Sequence, residues 1–134
     1  MEITVDTHVA VNIEHVWECW TNPEHIKKWN NASADWHTTF AENDVTEGGE
    51  FIFTMAAKDG SVKFDLRGTY QHVSNHEHLI YFLEDGRKVI VAFLSDDTGV
   101  QIIEKFEAEE VNSADVQKSG WQAILDNFKR YAES

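Results

Sequence analysis

A carboxylate near the end of the chain interrupts an otherwise apolar alternation. The period of two within 100–106 puts Glu104 on the strand face that carries the apolar residues of this segment. Burial in such surroundings raises the pKa of a carboxyl group unless a donor pairs with it. With Tyr70 or Tyr81 nearby, Glu104 would form a carboxyl and phenol pair that holds a polar ligand group or moves a proton. The alternative is a structural glutamate bonded to a tyrosine, to a tryptophan N–H or to Arg67.

Three histidines follow the spacing His-x3-His-x-His at His72, His76 and His78. Three imidazoles at one turn would suit a zinc ion. Strand alternation directs His76 and His78 outward beside an exposed turn, so surface histidines are the expected outcome and no metal site is predicted.

Cys19 is the only cysteine, which excludes an intrachain disulfide and a cysteine-based zinc site. It lies between Trp17 and Trp20, one helical turn after His15. A buried, inert thiol is expected there. A chain with one cysteine fits a reducing compartment, and the expected localisation is cytoplasmic.

The charge of the chain excludes some partners. Its 134 residues include 11 Lys and Arg against 24 Asp and Glu, a formal net charge of −13. Affinity for nucleic acid comes first from cations that neutralise phosphates, so no nucleic-acid partner is expected. Anionic lipid headgroups are repelled for the same reason, and no membrane partner is expected.

Several familiar motifs do not occur. The chain has no glycine-rich phosphate loop, nucleophile elbow or His-Glu-x-x-His pattern, so phosphoryl transfer and standard hydrolysis have no support and no cofactor is expected. The first eight residues alternate apolar and polar without an apolar core. We therefore expect neither a signal peptide nor a membrane anchor there.

Periodicity and capping residues define the elements that must position these groups. Residues 2–9 alternate as a half-buried strand. Asn12 is placed to cap a helix over 13–20, and Asn22 with Pro23 starts a second helix over 23–29. Six more strands are predicted at 35–41, 49–57, 62–73, 78–84, 87–95 and 98–109.

Turns and a final helix complete the pattern. Asp59-Gly60 and Asp85-Gly86 predict hairpins with type I′ turns. After Asn112-Ser113, apolar residues at helical spacing predict a long amphipathic helix. Gly120 lies within it, where glycine costs up to about 1 kcal/mol relative to alanine; either a closely approaching neighbour compensates or the glycine is simply tolerated. No repeat or linker divides the chain, so residues 1–134 are expected to form one α+β domain.

The predicted order of strand, two short helices, six strands and long C-terminal helix resembles the helix-grip fold, in which a curved antiparallel sheet wraps the last helix. Residues 16–29, Val16-Trp-Glu-Cys-Trp-Thr-Asn-Pro-Glu-His-Ile-Lys-Lys-Trp29, resemble a signature in which one helix ends in Thr-x-Pro-Glu and the next closes on tryptophan. Segments 48–51, 98–106 and 119–128 look like later landmarks of the same group. The chain is identified as a member of the SRPBCC (START/birch-pollen-allergen-like) superfamily, among bacterial proteins similar to the C-terminal domain of the activator of heat-shock-protein-90 ATPase.

One departure from the family pattern concerns charge. The family often has Asp-x-Arg-x-Gly-Gly before its third strand, whereas this chain reads Asp44-Val-Thr-Glu-Gly-Gly49. The missing arginine removes a cation that would face an anionic ligand or partner.

A sheet bent around one helix leaves a space that either large side chains or a ligand must fill. The resemblance implies, first, a non-enzymatic domain that binds a small hydrophobic or amphipathic molecule there. A second hypothesis is a protein-interaction module acting on a chaperone ATPase, and a third is a cyclase- or dehydratase-type enzyme with Glu104 and a tyrosine as acid and base. The candidate ligand-binding residues are Trp36, Phe53, Met55, Tyr70, Tyr81, Phe93, Glu104, Phe106, Trp121 and Leu125.

Overall fold

The computed structural model describes residues 1–134, which form seven strands and three helices. In chain order these are β1 (Glu2–Val9), α1 (Ile13–Thr21), α2 (Pro23–Trp29), β2 (Trp36–Asn43), β3 (Glu50–Ala57), β4 (Lys63–Ser74), β5 (His78–Leu83), β6 (Lys88–Asp96), β7 (Gly99–Glu107) and α3 (Ala114–Glu133). The α+β class and the helix-grip order are confirmed. None of the three helices has the length and hydrophobicity needed to cross a membrane.

All seven strands join one curled antiparallel sheet in the order β1-β7-β6-β5-β4-β3-β2. Its first and last strands in sequence are partners: Ile3 lies opposite Phe106 and Val9 opposite Val100. The inward side chains of β1 and β3 to β7 are here called the concave face, and α3 lies on this side of the sheet, nearest to β1. Bulges interrupt the ladder between Thr38 and Phe40 and between Tyr70 and His72.

The C-terminal helix is fixed at the β1 edge of the sheet by polar contacts to backbone. Gln122 Nε2 donates to the carbonyl of Asp6 at 2.9 Å, and Lys129 Nζ donates to the carbonyl of His8. On its other side, Asn127 Nδ2 donates to the carbonyl of Trp29 at 2.8 Å, which ties α3 to α2. These bonds hold α3 against β1, while α2 lies against β2.

The predicted helix caps are all present. Asn12 Oδ1 accepts from the backbone N–H of His15 at 2.8 Å, and Asn22 Oδ1 accepts from that of Glu24 at 2.9 Å. Ser113 caps α3 in the same way. Because such bonds satisfy donors that the first helical turn leaves free, each helix begins where its capping residue stands.

The two Asp-Gly hairpins form, but the predicted type I′ turns are wrong. Gly60 and Gly86 have φ of +79° and +92°, whereas φ is not positive at Asp59 or Asp85. A type I′ turn needs positive φ at both central residues. The N–H of Gly60 donates to the carbonyl of Ala57 at 3.0 Å, so the glycine closes the turn as its last residue and alone takes the left-handed conformation.

An aromatic cluster joins the three helices to the sheet. Trp20 lies 5.0 Å from Trp29, 4.8 Å from Phe128 and 5.5 Å from Phe93, measured between ring centroids. Trp29 Nε1 donates to the carbonyl of Cys19 at 2.8 Å. The helix pair α1–α2 is thereby packed over one end of the concave face.

Gly68 allows an aromatic ring to lie directly on the β4 backbone. A Cβ at this position would stand 2.4 Å from two ring carbons of Phe51 and 3.0 Å from the carbonyl oxygen of Phe82. We expect Gly68→Ala to lower the free energy of unfolding by about 1–3 kcal/mol, since an added methyl group overpacks this contact. Urea unfolding followed by tryptophan fluorescence measures the effect, and an unchanged midpoint would contradict the packing described.

Gly120 provides the opposite case. A Cβ there would have no atom within 4 Å, so no closely approaching neighbour compensates for this glycine in α3. We expect Gly120→Ala to raise the free energy of unfolding by up to about 1 kcal/mol, because alanine loses less backbone entropy in a helix. The same urea experiment tests it; destabilisation would show that the position needs glycine for a reason outside this packing.

Candidate functional site

Glu104 lies inside the protein, on the concave face of β7. It pairs with Val5 of β1 on one side and Val91 of β6 on the other, and the residue is only 6% exposed. Burial raises the pKa of this carboxyl from 4.5 to about 8, and no hydrogen bond or cation offsets the effect. At neutral pH Glu104 is therefore a protonated, uncharged acid.

Two tyrosines accompany Glu104 on this face. Tyr81 of β5 lies opposite Tyr70 of β4, with ring centroids 5.9 Å apart. Burial raises the pKa of the Tyr81 phenol well above its usual value, and the neighbouring Glu104 and Tyr70 raise it further. The tyrosine expected beside Glu104 is thus Tyr81, and both groups keep their protons at neutral pH.

Tyr70 has a partner of its own. Its hydroxyl donates to Asn43 Oδ1 at 2.6 Å, and Asn43 Nδ2 donates to the carbonyl of Thr21 at 2.9 Å. Burial raises the pKa of Tyr70 above its usual value. This chain of bonds holds Tyr70 in place and leaves Tyr81 as the phenol without a hydrogen-bonded partner at the site.

Trp121 of α3 covers the neighbouring part of β7. Its ring stacks on Phe106 with centroids 3.9 Å apart and planes 9° from parallel. Phe106 is fully buried, whereas Trp121 is only partly buried. This stack fills the interior beside Glu104, on the Phe106 side, with side chains.

An apolar strip runs from Tyr81 toward the β2 edge of the sheet. Phe51 lies 5.1 Å from Tyr81 and 4.8 Å from Phe53, and Phe53 pairs with Leu66. The strip continues along β3 and β4 and consists of Phe51, Phe53, Met55, Phe64, Leu66 and Trp36. Its far end is open, since Phe64 is 46% exposed and lies 5.9 Å from Trp36.

Two of the candidate ligand-binding residues lie elsewhere. Phe93 packs against Trp17 and Trp20 of α1, with centroids 5.3 Å and 5.5 Å away. Leu125 of α3 is fully buried in the main core. The structure thus groups Glu104, Tyr70, Tyr81, Phe106 and Trp121 around one interior region, with Phe53, Met55 and Trp36 leading away from it.

Phe51 is, with Phe64 and Leu66, one of the site residues that sequence reasoning left out of the candidates. It contacts Phe53, Tyr70 and Tyr81, all within 5.5 Å between centroids. The glycine at position 68 was the available signal, because a strand glycine often marks the close approach of a ring or backbone.

Several surface depressions lie outside the interior region. One of about 370 Å³ is formed by 10–14 and 95–99, and one of about 410 Å³ lies on the outer sheet face around Arg67 and Phe82. A third, of about 420 Å³, lies along the outer side of α3. None of them contains Glu104 or Tyr81.

The three histidines around the β4–β5 turn do not point to one common position. His72 and His78 stack with centroids 4.7 Å apart, and His72 Nδ1 lies 3.0 Å from an Oε2 of Glu47. His76 has φ of 67° and packs edge-on against Trp17, 5.8 Å away. The expectation that His76 and His78 point the same way is wrong, because the left-handed residue at the turn reverses the side-chain direction. No group of three His, Cys, Asp or Glu side chains has the geometry to hold a metal ion.

Cys19 is buried between α1 and α3. Its Sγ lies 3.6 Å from His15 Nε2, which in turn lies 3.1 Å from the carbonyl of Ala132. Burial, and secondarily the charge of Glu18, raises the pKa of the thiol. A protonated thiol is a poor nucleophile, so the position favours packing over reactivity.

The fold and the interior of the sheet define a helix-grip binding domain. Residues 10–133 match the family described as Activator of Hsp90 ATPase homolog 1-like protein, and the chain belongs to this family. No functionally curated protein matches it.

Solved structures agree with this assignment. The AHSA1-like protein from Aeromonas hydrophila is 46% identical over 99% of this chain and 92% of its own, with a TM-score of 0.94. A protein from Cytophaga hutchinsonii is 47% identical over 98% of this chain and 92% of its own, with a TM-score of 0.86. A protein from Nitrosomonas europaea, 19% identical over 98% of this chain and 93% of its own, has a TM-score of 0.83 and shares the fold.

The buried carboxyl has a consequence for stability. In the unfolded chain Glu104 titrates near 4.5, whereas in the folded protein it keeps its proton to about pH 8. Between these values the folded state holds the extra proton, so the free energy of unfolding falls as pH rises, by up to roughly 1.4 kcal/mol per pH unit. This contribution is complete below about pH 4.5 and is lost as the pH passes 8.

We expect Glu104→Gln to remove this loss. The variant should be more stable than the parent at pH 9, and the difference should shrink toward pH 5, because the amide resembles the protonated acid and does not ionise. Urea unfolding at each pH measures it. Glu110→Gln, at an exposed position, is the matched control; identical pH profiles for the parent and Glu104→Gln would contradict the burial of an unpaired carboxyl.

Proposed function

We propose that this domain binds a small hydrophobic or amphipathic molecule between the concave face and α3, in the cytoplasm. The observation that carries the proposal is the Glu104 carboxyl, which is buried without a partner and lies beside Tyr81 at the head of an apolar strip. A ligand would place its polar group at Glu104 and Tyr81 and its apolar part along the strip.

Two donors expected for a structural glutamate, Arg67 and the Trp29 indole, are engaged elsewhere. Arg67 lies on the outer face, where it contacts Asp65 at 3.2 Å and Glu84 at 3.7 Å. The indole N–H of Trp29 donates to a backbone carbonyl. A buried polar group without a hydrogen bond costs about 1–3 kcal/mol, and a ligand that supplies the bond recovers this free energy.

The apolar strip supports the same proposal. Phe53, Leu66 and Tyr81 face inward yet are only partly buried, because α3 is held at the β1 edge and leaves β3 to β5 less covered. Partly covered aromatic surface next to a few polar groups is the usual composition of a small-molecule site.

A second candidate function is supported by the acid itself. A carboxyl group with a pKa of about 8 beside a phenol has the properties of a general acid at neutral pH. The enzyme hypothesis therefore uses the same two side chains, and it additionally requires turnover of the bound molecule.

The test is native mass spectrometry of the protein purified from its own host, followed by organic extraction of the bound material. We expect a stoichiometric small molecule. Leu66→Gln, in the strip, should reduce its occupancy severalfold, because a polar side chain there no longer matches an apolar ligand.

Leu94→Gln is the matched control, since Leu94 lies on the outer face of β6 and is 53% exposed. Its occupancy should equal that of the parent. An empty parent protein that also ignores a panel of lipids and polyketides would contradict ligand binding and favour the chaperone-interaction hypothesis, which the family's name suggests.

A further inference from the structure

We infer that the polar group of the ligand is electrically neutral and offers an oxygen acceptor, such as an alcohol or a carbonyl, and that carboxylates and phosphates are rejected. This inference rests on the proposed function, because it specifies the ligand class of the same site. It follows from which charges the interior contains and which hydrogen atoms it can donate.

No cation faces the site. The buried polar residues are Asn30, Thr38, Glu104 and Gln117, so no lysine or arginine is among them. The nearest strand arginine, Arg67, is paired on the outer face, and Lys129 of α3 is bound to the His8 carbonyl and to Glu133. An anionic headgroup would enter a low-dielectric region without a counter-ion, inside a protein of net charge −13.

A cationic headgroup is disfavoured for a different reason. It would need Glu104 as its counter-ion, and that carboxyl holds its proton at neutral pH because of its burial. Ionising Glu104 costs free energy, and this cost reduces the binding free energy that the cationic headgroup would contribute. Valines of β1 and β6 flank Glu104, and they offer no polar atom to support an ionised carboxylate.

A neutral ligand oxygen needs no counter-ion and does not require Glu104 to ionise. Protonated Glu104 has one O–H to donate, and Tyr81, which has no other hydrogen-bonded partner, has a second. Both side chains point into the same curled face, separated by the single strand β6. Each of these O–H donors suits a neutral oxygen with a free lone pair, and a hydroxyl group can also return a hydrogen bond to the carboxyl carbonyl.

The strip sets the length of the apolar part. Along β4, the inward positions from Tyr70 to Phe64 are six residue steps apart, or about 20 Å at roughly 3.3 Å per residue. Because the strip ends at the exposed Phe64, a longer chain would extend into solvent rather than being excluded.

The experiment is a titration of the ¹⁵N-labelled protein with decan-1-ol, decanoate and decylammonium at pH 7, followed by NMR through the backbone amides and the five tryptophan N–H signals. The three probes share one chain and differ in headgroup charge. We expect decanol to bind at least about tenfold more tightly than either ion, with shifts at Phe53, Leu66 and Trp121.

Variants separate the headgroup from the chain. Glu104→Leu and Tyr81→Phe should each weaken decanol binding by about fivefold to tenfold, and Glu104→Gln, whose amide supplies an N–H donor, should recover part of the loss. Leu94→Gln should bind decanol as the parent does. The ¹⁵N spectrum of each variant also reports whether it is folded.

The outcomes are distinct. Equal affinity for all three probes, or tightest binding of decanoate or decylammonium, would overturn the inference and leave ligand binding at the strip intact. Decanol binding that Glu104→Leu leaves unchanged would overturn it as well. If none of the three probes binds, both the inference and the proposed function fail.

Discussion

One helix must cover the inner surface of a seven-stranded sheet, and this mismatch of areas governs the rest of the molecule. The helix α3 is anchored to the backbone of β1 through Gln122 and Lys129, so its apolar side lies closest to β1 and β7. Leu125 and Phe128 are consequently fully buried, whereas Phe53 and Leu66 are only partly buried. The helices α1 and α2 close one end of the sheet through Trp20 and Trp29, and at the β3–β4 end Phe64 and Leu66 are only partly covered.

The raised pKa of Glu104 follows from this arrangement. On an exposed strand, a glutamate between Val5 and Val91 would simply extend into water. On the concave face it is largely removed from water and accepts no side-chain hydrogen bond, and the result is a carboxyl with a pKa of about 8. A carboxyl group without a hydrogen bond destabilises a purely structural core. In a binding site the same group is useful, because it can form a hydrogen bond with the ligand. The aromatic residues alone do not make this distinction, since stacked rings such as Phe106 and Trp121 also occur in ordinary cores.

The sequence was sufficient to predict the helices and strands, but it was not sufficient to predict the side-chain contacts between them. Helix starts at Asn12, Asn22 and Ser113 and strand alternation depend on neighbours in the chain, so local patterns predicted them. The inward direction of Glu104 followed in the same way. Which rings meet depends on the curl of the sheet and the position of α3, so local patterns do not show that Phe93 packs on α1. The Asp-Gly turns show the same limit, because turn type depends on the twist of both strands.

The pairing of β1 with β7 has a consequence for how the protein is made. Glu2 lies opposite Glu107 and Val9 opposite Val100, so the first strand of this sheet to be synthesised finds its only sheet partner about one hundred residues later. At about 5–20 residues per second, β1 waits on the order of 5–20 s with its backbone groups unpaired. The anchor points of α3 at Asp6 and His8 also belong to β1, so this strand takes part in both the sheet pairing and the attachment of the helix. Pairing between strands so far apart in sequence slows folding relative to a domain of the same size with mostly local contacts.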